Sequence, residues 1–285
     1  MPAGIKGKLS DADAVAVRRY CMKLKDKVAL ITGAGRGIGR SIALAFAAEG
    51  ADVILAARSR DQLESVAGEV NRIGRRALVA ACDVSSPQAV QQLQQEVAKT
   101  FDRLDILVNN AGISKRSKFL EYDDDTWFEV IRINLFGVYL CTKALLPMIQ
   151  QTAAGRIINV ASVAGKHPVP FNTAYSASKH GVLGLTKSLA SEVALSGYPQ
   201  ITVNAICPFF VETEMFRGAD GYIAQMSRMA ANSESQIIDR IMSRSLQRRV
   251  LDPGEVAAMA VYLASDAARG VTGQALNICG GTIFH

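Results

Sequence analysis

KVALITGAGRGIGRSIALAFAAEG, residues 27–50, decides the fold. An apolar run ending at Thr32 reads as a buried strand, and the apolar residues after Gly39 recur at helical spacing. Four glycines stand between them. Gly33 permits a tight turn, Gly37 lets the backbone approach a phosphate, and Gly39 lets the helix pack closely. The helix start then offers free N–H groups and a positive dipole end to an anion. A nucleotide is expected on this turn, with Gly35, Arg36 and Ile38 completing its cradle. The Gly-x-x-x-Gly-x-Gly spacing is one residue longer than the common dinucleotide fingerprint.

Outward from this stretch the alternation continues. DVILAA, RALVAA, DILVNN, RIINVAS, ITVNAIC and QALNIC read as further strands, with DQLESVAGEVNRIG and SPQAVQQLQQEVAKTF as intervening helices. Strand and helix in turn predict an α/β fold, a three-layer doubly wound parallel sheet of about seven strands. Ser86 before Pro87, and Asp252 before Pro253 and Glu255, are helix starts. Residues 1–25 read as an extension and 26–285 as a single domain, a length that one large α/β domain accommodates. The segment from Glu214 to about Arg249 interrupts the alternation and lacks strong apolar periodicity. It reads either as a mobile cover for a cleft or as a docked surface excursion.

The chain has 32 Lys and Arg against 26 acids, and the basic residues form no dense run. That balance argues against nucleic acid as a partner and suits an anionic cofactor or substrate. Cys21, Cys82, Cys141, Cys207 and Cys279 are far apart without a CxxC pair, so reduced thiols and a cytoplasmic location are expected. No run of about eighteen apolar residues is visible, and the start lacks the apolar centre of a signal, so no membrane association is expected. His167, His180 and His285 lack ligand spacing, and no metal is expected.

YSASK, residues 175–179, places Tyr175 and Lys179 one helical turn apart on one face. A phenol titrates at about 10 and gives up its proton reluctantly. A neighbouring ammonium favours the phenolate and moves that value toward neutrality, where general acid catalysis works best. Ser162, just past RIINVAS, can hydrogen-bond a carbonyl oxygen from the carboxyl end of its strand.

TGAGRGIG (32–39), NNAG (109–112), YSASK and Ser162 together resemble the short-chain dehydrogenase/reductase family over about residues 25–281. Within it, YSASKHGVLGLTKSLA, ITVNAICPFFVETEM and GQALNICGG look most like the ketoreductases of aromatic polyketide synthesis and the 3-oxoacyl-acyl-carrier-protein reductases. The resemblance implies a Rossmann domain, assembled as a homotetramer or homodimer. It implies Tyr175 as proton donor, Lys179 as a second hold on the nicotinamide ribose, and Asn134 in a water-linked proton relay. It assigns Asp83 and Val84 to an adenine pocket, Asn109, Ala111 and Gly112 to the ribose side, and Pro208, Val211 and Thr213 to the nicotinamide side.

Where NAD-dependent relatives end the second strand with a ribose-binding acid, this chain has Ala57, followed by Arg58 and Ser59. Arg58 and Arg36 can face a 2′-phosphate, so NADP(H) is expected; the alternative is a pair of solvated charges. The implied reaction is reduction of a ketone, a 3-oxoacyl thioester or a similar one. Oxidation of a small hydroxy compound and cofactor binding without catalysis are the other readings. Phe209 replaces the family's usual glycine after Pro208 and points either into the substrate pocket or into the core. ISKRSKF, residues 113–119, lacks the glycine-rich groove of the polyketide enzymes. Its Lys115, Arg116 and Lys118 either receive an acidic carrier or form a solvated basic loop.

Overall fold

The computed structural model describes residues 22–230 and 233–285, so Cys21 and most of the extension read at 1–25 lie outside the described residues. The β-branched runs become seven strands: β1 (Val28–Thr32), β2 (Asp52–Ala57), β3 (Ala77–Ala81), β4 (Ile106–Asn109), β5 (Arg156–Val160), β6 (Thr202–Pro208) and β7 (Ala275–Ile278). They form one sheet in the order β3-β2-β1-β4-β5-β6-β7, every neighbouring pair parallel. The doubly wound α/β fold expected from the alternation is present.

Strand side chains alternate between faces, and here both faces are covered, which is why the strands read as continuous apolar runs. Ala29 and Ile31 of β1 pack with Ile42 and Phe46 of α1 (Gly37–Ala48) and with Leu63 and Val66 of α2 (Arg60–Arg72). Val28 and Leu30 pack on the other face with Leu93 and Val97 of α3 (Pro87–Thr100). Ser86 caps α3 by accepting from the Ala89 N–H, with Pro87 in the first turn.

α4 (Asp124–Ile131), a π turn at Arg132–Phe136 and α5 (Gly137–Gln150) form one helical run. Among the described residues this run is the one that contains an eighteen-residue stretch apolar enough to span a membrane, a feature that interrupting charges such as Arg132 and Lys143 hide in the sequence. Nearly half of that stretch, 44%, is buried inside the protein, with Cys141 and Leu145 in the sheet-facing core. α6 (Thr173–Leu195) covers the same face of the sheet.

The segment after β6 folds into α7 (Glu214–Arg217), α8 (Tyr222–Ala230) and α9 (Glu234–Met242), followed by α10 (Pro253–Ala264) on the α1 face. The expectation that residues 214–249 lack apolar anchoring is corrected. Phe216, Ile223, Ile237 and Ile241 are buried together, with Phe209, Phe210 and Tyr222 packed against them. The period escapes a sequence window because each helix is short and two of the aromatic partners come from the end of β6.

Candidate active site

From β1 the chain proceeds to β2 and β3 on one side, while β4 begins the other half of the sheet, so a crevice opens at their carboxyl ends. Side chains tie the two strands there. Thr32 Oγ1 accepts from the N–H groups of Asn110 (2.9 Å) and Ala111 (3.0 Å). Asn110 Nδ2 donates to the carbonyls of Thr32 (3.0 Å) and Gly33 (3.2 Å). Gly33 takes φ +65°, and a Cβ on Gly39 would stand 2.2 Å from the Gly33 carbonyl oxygen. Gly39 thus seats α1 on the turn and does not line the crevice.

A cavity of about 320 Å³ fills the crevice. Gly33, Gly35, Arg36, Gly37 and Ile38 form its cradle, Ala57, Arg58 and Ser59 close it at the end of β2, and Asp83, Val84, Ala111 and Gly112 line the remainder. The Asn109 side chain, expected on the ribose side, is not there. It is buried, and its Nδ2 donates to Thr142 Oγ1 (3.0 Å) and Asn159 Oδ1 (2.9 Å). Asn110, the next residue, faces the cavity instead, because strand alternation gives consecutive residues opposite directions.

Burial alone would raise the Asp83 carboxyl, but the Ser85 N–H and hydroxyl and the Arg58 charge hold it below the usual carboxylate range. Arg58 therefore lies at the cavity wall beside a carboxylate. Arg36 is ion-paired with Glu214, the first residue of α7, so the glycine turn is latched to the segment over the site.

A second cavity, about 390 Å³, shares Ile38, Asn110, Gly112, Thr213 and Met215 with the first, so the two are continuous. Ser162, Tyr175 and Lys179 open into it, with Pro208, Val211 and Thr213 on its wall. Ser162 follows β5; its Oγ accepts from the Ala164 N–H at 3.1 Å and donates to the Pro208 carbonyl at 3.5 Å. Lys179 is buried, donating to the Val160 carbonyl at 2.8 Å, with Nζ 5.6 Å from the Tyr175 ring centroid. Asn134 lines neither cavity. It sits in the π turn, accepting from the Ile113 N–H (2.8 Å) and donating to the Ile113 carbonyl (2.9 Å) and Ser178 Oγ (3.2 Å). A Cβ on Gly112 would lie 3.2 Å from its Oδ1 and 3.8 Å from Lys179 Nζ, so the amide and the ammonium flank one point.

The expected depression of the phenol by Lys179 is corrected. Burial pushes Tyr175 above the ordinary tyrosine value, against downward pulls from Ser162 and from the Arg116 charge. Burial likewise pushes Lys179 down to about 8, so the pair shares a desolvated pocket in which both groups favour their neutral forms. Between pH about 8 and 10.5 the unfolded chain holds a lysine proton that the folded one has released, so stability of the cofactor-free protein rises across that window. Lys179→Met is expected to abolish this rise. Melting temperatures at several pH values from 7.5 to 9.5 test it, and parallel curves for both proteins would contradict the assignment.

Sequence reading missed the direction of Arg116. It enters the second cavity, its guanidinium 4.4 Å from the Tyr222 ring centroid, while Lys118 pairs with Glu121 at 2.9 Å. The three basic residues therefore do not form one outward patch: Lys115 and Lys118 are exposed, and Arg116 turns inward. Phe209 does both things left open for it: it lines the cavity and packs against two apolar clusters. His180 Nδ1 contacts the Ser176 carbonyl at 2.9 Å within its own helix. Cys82, Cys141, Cys207 and Cys279 are buried free thiols.

The family model described as short chain dehydrogenase matches residues 27–221. A candidate ketoacyl reductase 1 of the granaticin polyketide synthase of Streptomyces violaceoruber is 43% identical over 256 residues, covering 89% of this chain and 92% of that protein. A 3-oxoacyl-[acyl-carrier-protein] reductase of Synechocystis is 38% identical, covering 92% and 98%. Among solved structures, a variant of actinorhodin polyketide ketoreductase with NADPH aligns with TM-score 0.84 at 40% identity, covering 90% of this chain and 97% of that one.

Proposed function

The chain belongs to the short chain dehydrogenase family, whose fold binds a nicotinamide cofactor, and from that premise we propose that it is an NADPH-dependent ketoreductase acting on a 3-oxoacyl thioester or a similar ketone. The observation that carries the reading is the meeting of Ser162, Tyr175 and Lys179 where the glycine-cradled cavity opens into the second one. The cradle fits the cofactor: Gly33 and Gly37 keep positive φ, and the turn they make with Gly35 lines the cavity at the start of α1, where backbone N–H groups can meet a phosphate. When bound, NADPH supplies the hydride. Gly33–Ile38 would hold its phosphates, Arg58 and Ser59 its ribose phosphate, Asp83 and Val84 its adenine, and Lys179 its nicotinamide ribose.

The protein's own share is proton delivery and charge stabilisation. Burial keeps Tyr175 protonated at neutral pH, so the proton is present to be given to the carbonyl oxygen as negative charge develops. The Ser162 hydroxyl stabilises the same oxygen. Lys179 would return a proton to Tyr175 through water; the buried Asn134 amide, tied to Ile113 and Ser178, would hold that corner of the site in place. Exposed Phe128, Phe136 and Tyr139 along the α4–α5 run support assembly into a dimer or tetramer.

Arg58→Ala tests the cofactor reading. A charge-assisted hydrogen bond contributes about 1.5–3 kcal/mol, so NADPH affinity is expected to fall about ten-fold to a hundred-fold. NADH affinity, measured by the same fluorescence titration, should hardly change; equal losses would remove Arg58 from the 2′-phosphate. The reaction class is tested by NADPH oxidation with a panel of ketones and acyl thioesters, and by the reverse panel of alcohols with NADP⁺. Turnover confined to the alcohols would favour the oxidative reading.

A further inference from the structure

Not one acidic residue among the described residues lines the substrate cavity, yet two guanidinium groups enter it. Arg244 lies over Phe209, 5.9 Å from the ring centroid, and Arg116 lies over Tyr222. Arg116 is half-buried, and its hydrogen-bond partners are long and neutral. Its Nη1 donates to the Pro170 carbonyl at 3.4 Å, and the Asn172 amide, turned over, accepts from Nη2 at 3.3 Å. The ionisable groups around it are the phenols of Tyr222, Tyr175 and Tyr122 rather than carboxylates. A partly desolvated cation held this way lacks a counter-ion among the described residues, and a carboxylate accepts from a guanidinium in a two-bond fork that carbonyls do not match.

We infer that the ketone reduced at Tyr175 carries its own carboxylate and that Arg116 reads it. The substrate class is then an oxo acid, or an acyl chain with a free carboxyl group, over neutral ketones. This rests on the ketoreductase reading. The phosphate of a carrier arm stands many bonds from its thioester, whereas Arg116 shares one cavity with the Tyr175 hydroxyl, so the anion belongs to the reacting molecule. An aliphatic pocket would bind such a molecule less well than its neutral analogue; here the tyrosine and phenylalanine faces hold the guanidinium groups toward the space between them.

The test is kcat/KM for an oxo acid and its primary amide, matched in shape, with wild type, Arg116→Lys and Arg116→Ala. Wild type is expected to prefer the acid, and Arg116→Ala to collapse the acid-to-amide ratio about ten-fold to a hundred-fold. Arg116→Lys should keep part of the preference, because it retains the charge and loses the fork. Calorimetric binding of the hydroxy-acid product and its amide to the cofactor-free protein gives a readout that needs no turnover. Equal losses for acid and amide, or a wild type that prefers the amide, overturn the inference and leave the reductase reading standing. So does a coenzyme A-linked ketone whose dependence on Arg116 exceeds that of the oxo acid, since that would make phosphate the ligand. If no ketone is reduced, the reductase reading fails, and the calorimetric preference still decides what Arg116 binds. Should Arg116→Ala not fold, wild type and Arg116→Lys carry the comparison.

Discussion

Tyr175→Phe is expected to lower kcat by about 10²–10⁴-fold while NADPH still binds. The ring sits in a pocket formed by packing, so phenylalanine keeps the shape and removes only the hydroxyl that faces Ser162. The same deletion takes away a group that burial forces to stay protonated, so the folded variant should gain rather than lose tolerance of alkali. A folded tyrosine with a raised value keeps its proton above pH about 10, where an unfolded one releases it, and stability falls there. The variant should lack that decline. Single-turnover kinetics with pre-bound NADPH separate chemistry from binding; a rate within a few-fold of wild type would end the proton-donor role for Tyr175.

Gly39→Ala is expected to abolish cofactor binding and to destabilise the fold by about 3 kcal/mol or more, at the upper end for overpacked sites. The added Cβ meets the Gly33 carbonyl oxygen at 2.2 Å and Asn110 Nδ2 at 2.6 Å, so what must move is backbone and the amide that ties β1 to β4. No rotamer relieves it. Gly68→Ala, in α2 with open space around it, is the control and should stabilise by about 0.4–1 kcal/mol. Urea midpoints and an NADPH titration read both variants. A Gly39→Ala protein that binds NADPH normally would show that the turn can yield.

The strands and the glycine turn were legible because their causes are local: β-branched runs, and residues free to take φ that others avoid. Ser162, Tyr175 and Lys179 were legible as a spacing, since one helix and one strand end carry them. What escaped depends on distant partners. Asn109 and Asn110 are indistinguishable until Thr142 and Asn159 claim the first and Gly33 the second. Arg116 turns inward because Tyr222, from a different part of the chain, offers its ring. The phenol's upward displacement follows from burial, which spacing does not report, and the small core beneath α7–α9 is assembled from helices too short to show a period.

The bonds joining β1 to β4 impose a timetable on synthesis. Val28 N–H reaches Asp105 across 77 residues, and Thr32 Oγ1 meets the Asn110 N–H across 78. At about 5–20 residues per second, the turn leaves the ribosome roughly 4–16 seconds before the residues that hold it. Once β3 follows within that interval, β1, central in the finished sheet, is the outer edge of a three-stranded half, and every residue from Val28 to Thr32 is one that the native protein buries. An apolar edge is a template for pairing with other chains. The hazard of the nascent polypeptide is thus concentrated between translation of β1 and translation of Ile106–Asn109, and it ends when β4 docks.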